Sequence, residues 1–441
     1  MAWARQSPVC AAALALCGAA LGACGDADLL SPADASRLRD TDAPVPADAA
    51  PAPLEGFGLP VIAVSVAPER FAALERLTGE AEAIEIDVEV VYEGQRYRGV
   101  EMELHGGFAR TVPKKSYRLK FDRGQQPVFP FADAAPARRQ RRLVLQASWI
   151  DPTWLRQKLT FDALRASGAL APRTGHAVLY VNRALRGLYL VIERVDKQLL
   201  RRRGLDDEGN VYKAVDHRAN WVAKADPLAG YEHKVNEGNP TDDLGALLAT
   251  LTHTPREHAA FEAAVAPALS LSDFMTYQRV HSYAMNQDAF TKNYYLYHDL
   301  TAEAGTPLAR FRVISWDADA TWGQSWDGAA LDPRSWPGRG AGPAFDAWHG
   351  RDGLSPALLG IPAYREVYLE RYRRALSAGP LDAATLDAQV VALAERLGPA
   401  ARADAARWGR GADFDAEIAR LREAIAARHD VMSARVEALA R

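Results

Sequence analysis

Apolar and β-branched residues alternate along Leu59–Val66, Ala83–Val91 and Gln95–Leu104, the pattern of half-buried strands. Glu93-Gly94 is a turn signal, so the last two predict a hairpin. Ser116–Phe121 and Arg142–Leu145 continue the strand pattern. From Pro152 the spacing changes: Leu155, Leu159 and Leu164 fall roughly on one helical face, and Gly168 stops the run. His176–Val181 and Gly187–Ile192 predict a second hairpin with Asn182 to Arg186 as its turn, followed by a basic helix, Lys197–Arg203.

Beyond a short strand at Asn210–Lys213 the pattern becomes helical over Asp243–Leu251, Glu257–Ala266 and Ser272–Met285, with Ser272 as an N-cap. Short strands at Tyr294–Tyr297 and Arg310–Ser315 interrupt it, and the rest of the chain predicts helix almost throughout. In the final helix Phe414, Ile418, Leu421, Ile425 and Met432 recur near a 3.6 period, which is a packing stripe. Strands thus precede helices. That order predicts an α+β fold in two lobes, a strand-rich N-terminal lobe and a mainly helical C-terminal lobe, with a ligand cleft between them.

The N-terminus changes the picture of where the protein works. Arg5 and the apolar run Ala11–Leu21 read as an export signal, too short to span a membrane. Leu21-Gly22-Ala23-Cys24 is similar to a bacterial lipobox, with Cys24 as the acylated residue. An ordinary secretory signal cut after Ala23 is the alternative. The expected organisation is a lipoprotein signal peptide at 1–23, a disordered Ala/Asp/Pro-rich tether at 24–55 and a soluble body at 56–441. The body divides into lobes of about 56–195 and 196–441. The tether reaches on the order of 30 Å. The protein is therefore expected outside the cytoplasm, lipid-anchored to a bacterial membrane, at the outer membrane or cell surface. Cys10, Cys17 and Cys24 are the only cysteines, which excludes a disulfide framework or a Cys-ligated metal in the body. A net charge of −3 gives no electrostatic case for nucleic acid as a partner.

The chain has no Gly-x-x-x-x-Gly-Lys phosphate loop, no Gly-x-Ser-x-Gly elbow and no His-Glu-x-x-His. What it has is Asn286-Gln287-Asp288, then Asn293-Tyr294-Tyr295-Leu296-Tyr297, then Trp316-Asp317-Ala318-Asp319. Asp288 follows an apolar helix, Asn293 opens a strand, and Asp317 ends the next, so the three can converge at one lip of a small sheet. Such a trio suits phosphoryl transfer: one carboxylate positions the acceptor hydroxyl, while a carboxylate and an amide hold Mg²⁺ against phosphate oxygens.

With Trp322-Gly323 behind it, this constellation resembles the signature of the spore-coat CotH kinase family. Leu104-His105-Gly106-Gly107 followed by Lys114-Lys115-Ser116-Tyr117-Arg118-Leu119-Lys120-Phe121 is similar to that family's glycine loop and basic strand. Gly187-Leu188-Tyr189, Glu193-Arg194-Val195-Asp196-Lys197 and Val211-Tyr212-Lys213 fall in the family's order, and the likeness runs from about Gly56 to Val436. It implies a protein-kinase-like fold and transfer from ATP, with Mg²⁺ or Mn²⁺, to a hydroxyl of an extracytoplasmic protein, Ser or Thr. Asp288 would act on the acceptor; Asn293, Asp317 and Asp319 would face the metal; His105, Gly106 and Gly107 would cover the phosphates. Lys115, Arg118 and Lys120 compete as the phosphate-reaching cation, and Glu193 and Lys213 are further cofactor-side candidates. The family's Arg-x-Arg-Gly-Asn-Ser type loop reads Glu103-Leu104-His105-Gly106-Gly107-Phe108-Ala109-Arg110 here, with Arg110 as a substitute cation. The rival class is a non-catalytic surface scaffold or assembly protein on the same fold, since nucleotide is scarce outside the cytoplasm. Phosphorylation of a glycan or small molecule is a third option.

Overall fold

The computed structural model describes residues 53–79, 83–131, 138–286, 288–334 and 352–441. The expected signal peptide, Cys24 and nearly all of the tether lie outside them. The first half supplies β1 (Val61–Ser65), α1 (Pro68–Glu75), β2 (Ile86–Tyr92), β3 (Gln95–Leu104) and β4 (Tyr117–Lys120). A short pair, β5 (Val128–Phe129) and β6 (Arg138–Arg139), precedes β7 (Arg142–Gln146), α2 (Arg156–Ala166), β8 (Thr174–Val181) and β9 (Ala184–Glu193). The second half supplies α3 (Lys197–Arg202), β10 (Asn210–Ala214), β11 (Tyr231–Val235), α4 (Asp242–His253), α5 (His258–Val265) and α6 (Leu271–Tyr283). Then come β12 (Tyr294–His298), β13 (Arg312–Ser315), α7 (Ser355–Leu359), α8 (Pro362–Ala378), α9 (Ala383–Trp408) and α10 (Phe414–Leu439). The molecule is thus mixed α+β, strand-rich in its N-terminal region and helical in its C-terminal region.

Seven strands close into a barrel in the order β1-β2-β3-β4-β7-β9-β8. All neighbours are antiparallel except β1 and β8, which pair parallel through Val61↔Val178 to Val64↔Val181 and so leave no open edge. Alternation explains the inside: Val88, Val100, Leu119, Leu143, Leu179 and Val191 fill it. β8 and β9 are apolar on both faces because their outer residues, among them Val178, Leu188, Leu190 and Ile192, join the large core built with α2 and the helical region. A second antiparallel sheet, ordered β11-β10-β12-β13, lies within that core.

Several expected boundaries shift for local reasons. The β8–β9 turn is only Asn182 and Arg183, at φ 49° and 65°, rather than Asn182 to Arg186. Two consecutive left-handed residues match the strand twist, and the Asn182 amide ties the turn to the Val66 backbone at 2.9 and 2.8 Å. α2 starts at Arg156, not Pro152, because the Asp151 carboxylate accepts from the Thr153 and Arg156 backbone and holds the intervening turn. α6 is capped by Ser270, not Ser272: its hydroxyl accepts from the Asp273 backbone at 3.4 Å. The same helix stops at Tyr283, since Met285 takes φ 61°.

One buried ion pair joins the barrel to α9. The Lys114 ammonium is fully buried and donates to Asp404 and to the Leu188 carbonyl. It sits 4.3 Å from the centre of the Tyr189 ring. Asp404 also accepts from the Leu188 backbone at 2.9 Å. The carboxylate fits because residue 187 is glycine at φ 105°: a Cβ there would fall 1.9 Å from Asp404 Oδ2. Among the described residues no helix is long and apolar enough to cross a membrane.

Candidate active site

Sequence places Asp288 after an apolar helix, and the fold shows how the loop is held. Past α6, the Asn286 side-chain oxygen accepts from the backbone of Asp288 at 3.2 Å and of Ala289 at 3.1 Å, forming a side-chain-closed turn. The Asp288 carbonyl accepts from Lys292 N at 3.1 Å, and the Asp288 carboxylate pairs with the Lys292 ammonium at 2.9 Å. Asn293 follows at φ 62°, a conformation asparagine tolerates better than most residues. Its backbone donates to Ala214 and accepts from Trp316, which locks it between β10 and β13 at the start of β12.

Asp317 leaves β13 at φ 51°, and Gln157 of α2 accepts from the next backbone N–H at 3.1 Å. Burial pushes the Asp317 carboxyl upward and the charge of Asp288 adds to this, while Lys213 and Lys292 oppose it. Burial also drives Asp319 well above the carboxylate range, with the charges of Asp317 and Asp151 adding. These mutual effects place Asp288, Asp317 and Asp319 in one electrostatic neighbourhood. The barrel reaches it directly: the Gln146 side-chain amide of β7 donates to Asp319 Oδ2 at 2.9 Å. Among the described residues no group of three or more His, Cys, Asp or Glu side chains is arranged to hold a metal. Any cation here would therefore rest on two carboxylates, an amide and ligand oxygens, a set that suits a hard ion retaining water or phosphate.

The cations lie beside this acidic end. Lys213, on β10 opposite Tyr295, is lowered by burial, against which the nearby Asp317 charge acts. His105 meets Trp316 edge to face at 6.1 Å, and Trp316 meets Tyr295 likewise at 5.7 Å, so the glycine loop touches the Asp317 strand end through an aromatic wall. Burial pushes His105 down to about 3, aided by Lys213, Arg194 and Arg110. It is a neutral imidazole at ordinary pH. Gly106 adopts φ 82° and both Gly106 and Gly107 are exposed.

The three competing basic residues separate. Arg118 points out of the barrel, pairs with Glu103 of β3, and is lowered to about 10 by burial and by neighbouring Arg194 and Arg142. Register explains the grouping: Arg118 faces Val144 and Leu143 faces Glu193, so Arg118, Arg142 and Arg194 share the outer face of the barrel wall. Arg142 approaches Asp196 at 3.5 Å; Arg194 has no hydrogen-bond partner among the described residues. Lys115 instead turns back to the Arg110 carbonyl near Glu75, and Lys120 pairs with Glu101. Neither reaches the Asp317 neighbourhood. Glu193 lies in an ion cluster of its own. Its carboxylate is buried in a cluster with Arg173 and Arg202, a structural clamp between β9, the strand before it and α3, which leaves it no lone pair to offer a cofactor.

Glu103, Arg142, Gln146, Arg194 and Lys292 were not singled out as site residues by sequence reasoning. The signal for Arg194 was available: it continues the outward alternation Leu190, Ile192, Arg194. Gln146 carried none, since only the barrel's placement over β13 brings it to Asp319.

Residues 102–432 match the family described as CotH kinase protein. Over 240 residues the chain is 30% identical to the inner spore coat protein H of Bacillus subtilis (strain 168), which covers 52% of this chain. The chain spans 60% of that relative's length. A chain of the Shewanella oneidensis MR-1 toxin–antitoxin HipA, HipB and operator DNA complex aligns over 90% of this chain and 76% of its own. Its TM-score of 0.29 and identity of 11% carry no argument.

Proposed function

We infer, from the premise that this chain belongs to the CotH kinase protein family, that it transfers a phosphoryl group from ATP to a hydroxyl of an extracytoplasmic protein, Ser or Thr. The barrel-bearing and helical regions are, on this reading, the two lobes of a kinase-like fold. The observation that carries it is the polarised cluster of side chains: Asp288, Asn293, Asp317 and Asp319 at one end, and Lys213, Arg118 and Arg194 beside them.

Asp288, held by Asn286, would accept the hydroxyl proton as the oxygen attacks, after Lys292 yields or shares the carboxylate. Arg118, steadied by Glu103, and Lys213 would hold the phosphates, with the exposed backbone of Gly106 and Gly107 above them. The carboxyls of Asp317 and Asp319, raised chiefly by burial and further by neighbouring carboxylates, would be a favourable place for a cation, since a divalent ion would offset the cost of holding their charge there. Asn293 would be the neutral ligand beside them. Bound Mg²⁺ or Mn²⁺ would supply charge neutralisation for the phosphate oxygens. We also propose export and lipid anchoring at Cys24.

A second reading, a non-catalytic surface scaffold, is favoured by the Asp288–Lys292 ion pair, which occupies the carboxylate assigned to the acceptor. One experiment separates them. Isothermal titration of ATP with Mg²⁺ into wild type, Asp317→Asn and Asp288→Asn should give weakened metal-dependent binding for Asp317→Asn only. Asp288→Asn should keep nucleotide affinity and lose about 10²-fold or more in transfer rate. A wild type that binds no nucleotide with either metal ends the kinase reading in favour of the scaffold.

A further inference from the structure

The second feature of the molecule that calls for a ligand lies at the other end of β3. This strand runs ten residues from Gln95 to Leu104, so the glycine loop at its C-terminal end is about 30 Å from its start. At that start, between the β2–β3 turn and the segment Gly124–Val128, a groove of about 690 Å³ opens at the barrel mouth. Barrel mouths are one of the places where small-molecule sites form.

Two observations say what the groove lacks. Tyr92, which lines it, is only 3% exposed, stacks on Phe129 at 5.7 Å, and has a hydroxyl with no hydrogen-bond partner among the described residues. A buried hydroxyl left without a partner is uncommon and costly. Burial, with the nearby Glu93 charge adding, holds that phenol protonated. The second observation is the balance of donors and acceptors around it. Arg96, Arg98 and Arg139 line the same groove, and a guanidinium can only donate. Arg96 and Arg98 both lean on the single carboxylate of Glu89, and the Arg139 guanidinium has no hydrogen-bond partner among the described residues. The lining carboxylate is Glu93, on the turn at the rim, against three guanidiniums. What would complete this surface is a group that accepts several hydrogen bonds and carries negative charge.

We propose that the barrel mouth is a second binding site, separate from the cleft, for a small oxyanion-bearing ligand, whose carboxylate or phosphate oxygens take the Tyr92 hydroxyl and the Arg139 guanidinium. The aromatic faces of Tyr92 and Tyr97 form the rest of its wall. This site does not depend on the phosphoryl-transfer reading, since none of its residues belongs to the cleft.

The test titrates citrate and, separately, inorganic phosphate into the purified full chain at matched ionic strength. The two probes distinguish a carboxylate from a phosphate ligand. Tyr92→Phe removes only an unpartnered hydroxyl, so the free protein should keep or slightly raise its melting temperature. With the preferred probe it should bind roughly tenfold more weakly, and Arg139→Gln should do the same, the scale of one charge-assisted hydrogen bond. Arg422→Gln, which breaks an exposed ion pair with Asp387 far from the groove, should leave that binding unchanged. Absence of binding for both probes overturns the proposal. So does binding that survives Tyr92→Phe and Arg139→Gln, or binding that is lost in Arg422→Gln as well.

Discussion

His281 shows how a single buried side chain sets the response of the whole protein to acid. It sits on α6, wholly buried, with Nε2 2.9 Å from the Ser315 hydroxyl, and burial alone pushes it down to about 3. His176 is lowered to about 3 for the same reason. A folded-state value below the ordinary 6.5 means that the unfolded chain takes the proton first. The stability each histidine contributes is full above pH 6.5 and is lost as pH falls toward 3. Each contributes a slope of about 1.4 kcal/mol per pH unit within that window. The raised carboxyls of Asp317, Asp319 and Asp352 act the other way, favouring the folded state as pH drops. His281→Asn should therefore flatten the acid limb of denaturant-measured stability by about 1.4 kcal/mol per unit. A limb with unchanged slope would mean that the imidazole protonates inside the fold.

At the scale of elements, the clasp between β9 and α9 makes the clearest forecast. Gly187→Ala drives a Cβ into the Asp404 carboxylate and strains a residue at φ 105°. Chemical denaturation should register a loss of about 3 kcal/mol or more, because a buried ion pair is displaced as well. Gly204→Ala also sits at positive φ, 68°, but in open space, and should cost only about 1 kcal/mol. Equal losses at the two positions would remove the clasp from the explanation. The elements also differ in how far the sequence announced them. β3 falls on its expected span because its alternation is bounded by a turn on one side and glycines on the other. β11 was hidden, since Glu232 and Lys234 face outward and only Tyr231 and Val235 are buried. The parallel β1–β8 pairing was hidden for another reason: nothing local in Val61–Ser65 specifies a partner more than a hundred residues away. The acidic end of the site was legible because each aspartate sits at an element boundary. Its basic wall was not, because Arg118 and Arg194 become neighbours only when β7 pairs with both β4 and β9.

For the whole molecule, the decisive variable is where it resides. Cys24→Ser should move the protein from the membrane fraction to the soluble extracytoplasmic fraction, because acyl chains supply the membrane affinity. Fractionation and immunoblotting of the two forms read this out, and an unchanged membrane pool would count against acylation at that cysteine.

The Lys114–Asp404 pair carries a consequence for the order of assembly. Its two charges are separated by 290 residues of chain, and the lysine is enclosed by barrel residues and Trp154 rather than by its partner's neighbours. Until α9 has docked, a closing barrel must either leave that corner wet or bury an ammonium that burial pulls down to about 8 even with Asp404 beside it. Barrel closure and arrival of α9 are therefore one cooperative step, and a nascent chain that ends before Asp404 carries a barrel that cannot be sealed. On the proposed export route, that delay would keep the N-terminal half slack until almost all of the chain has crossed the membrane.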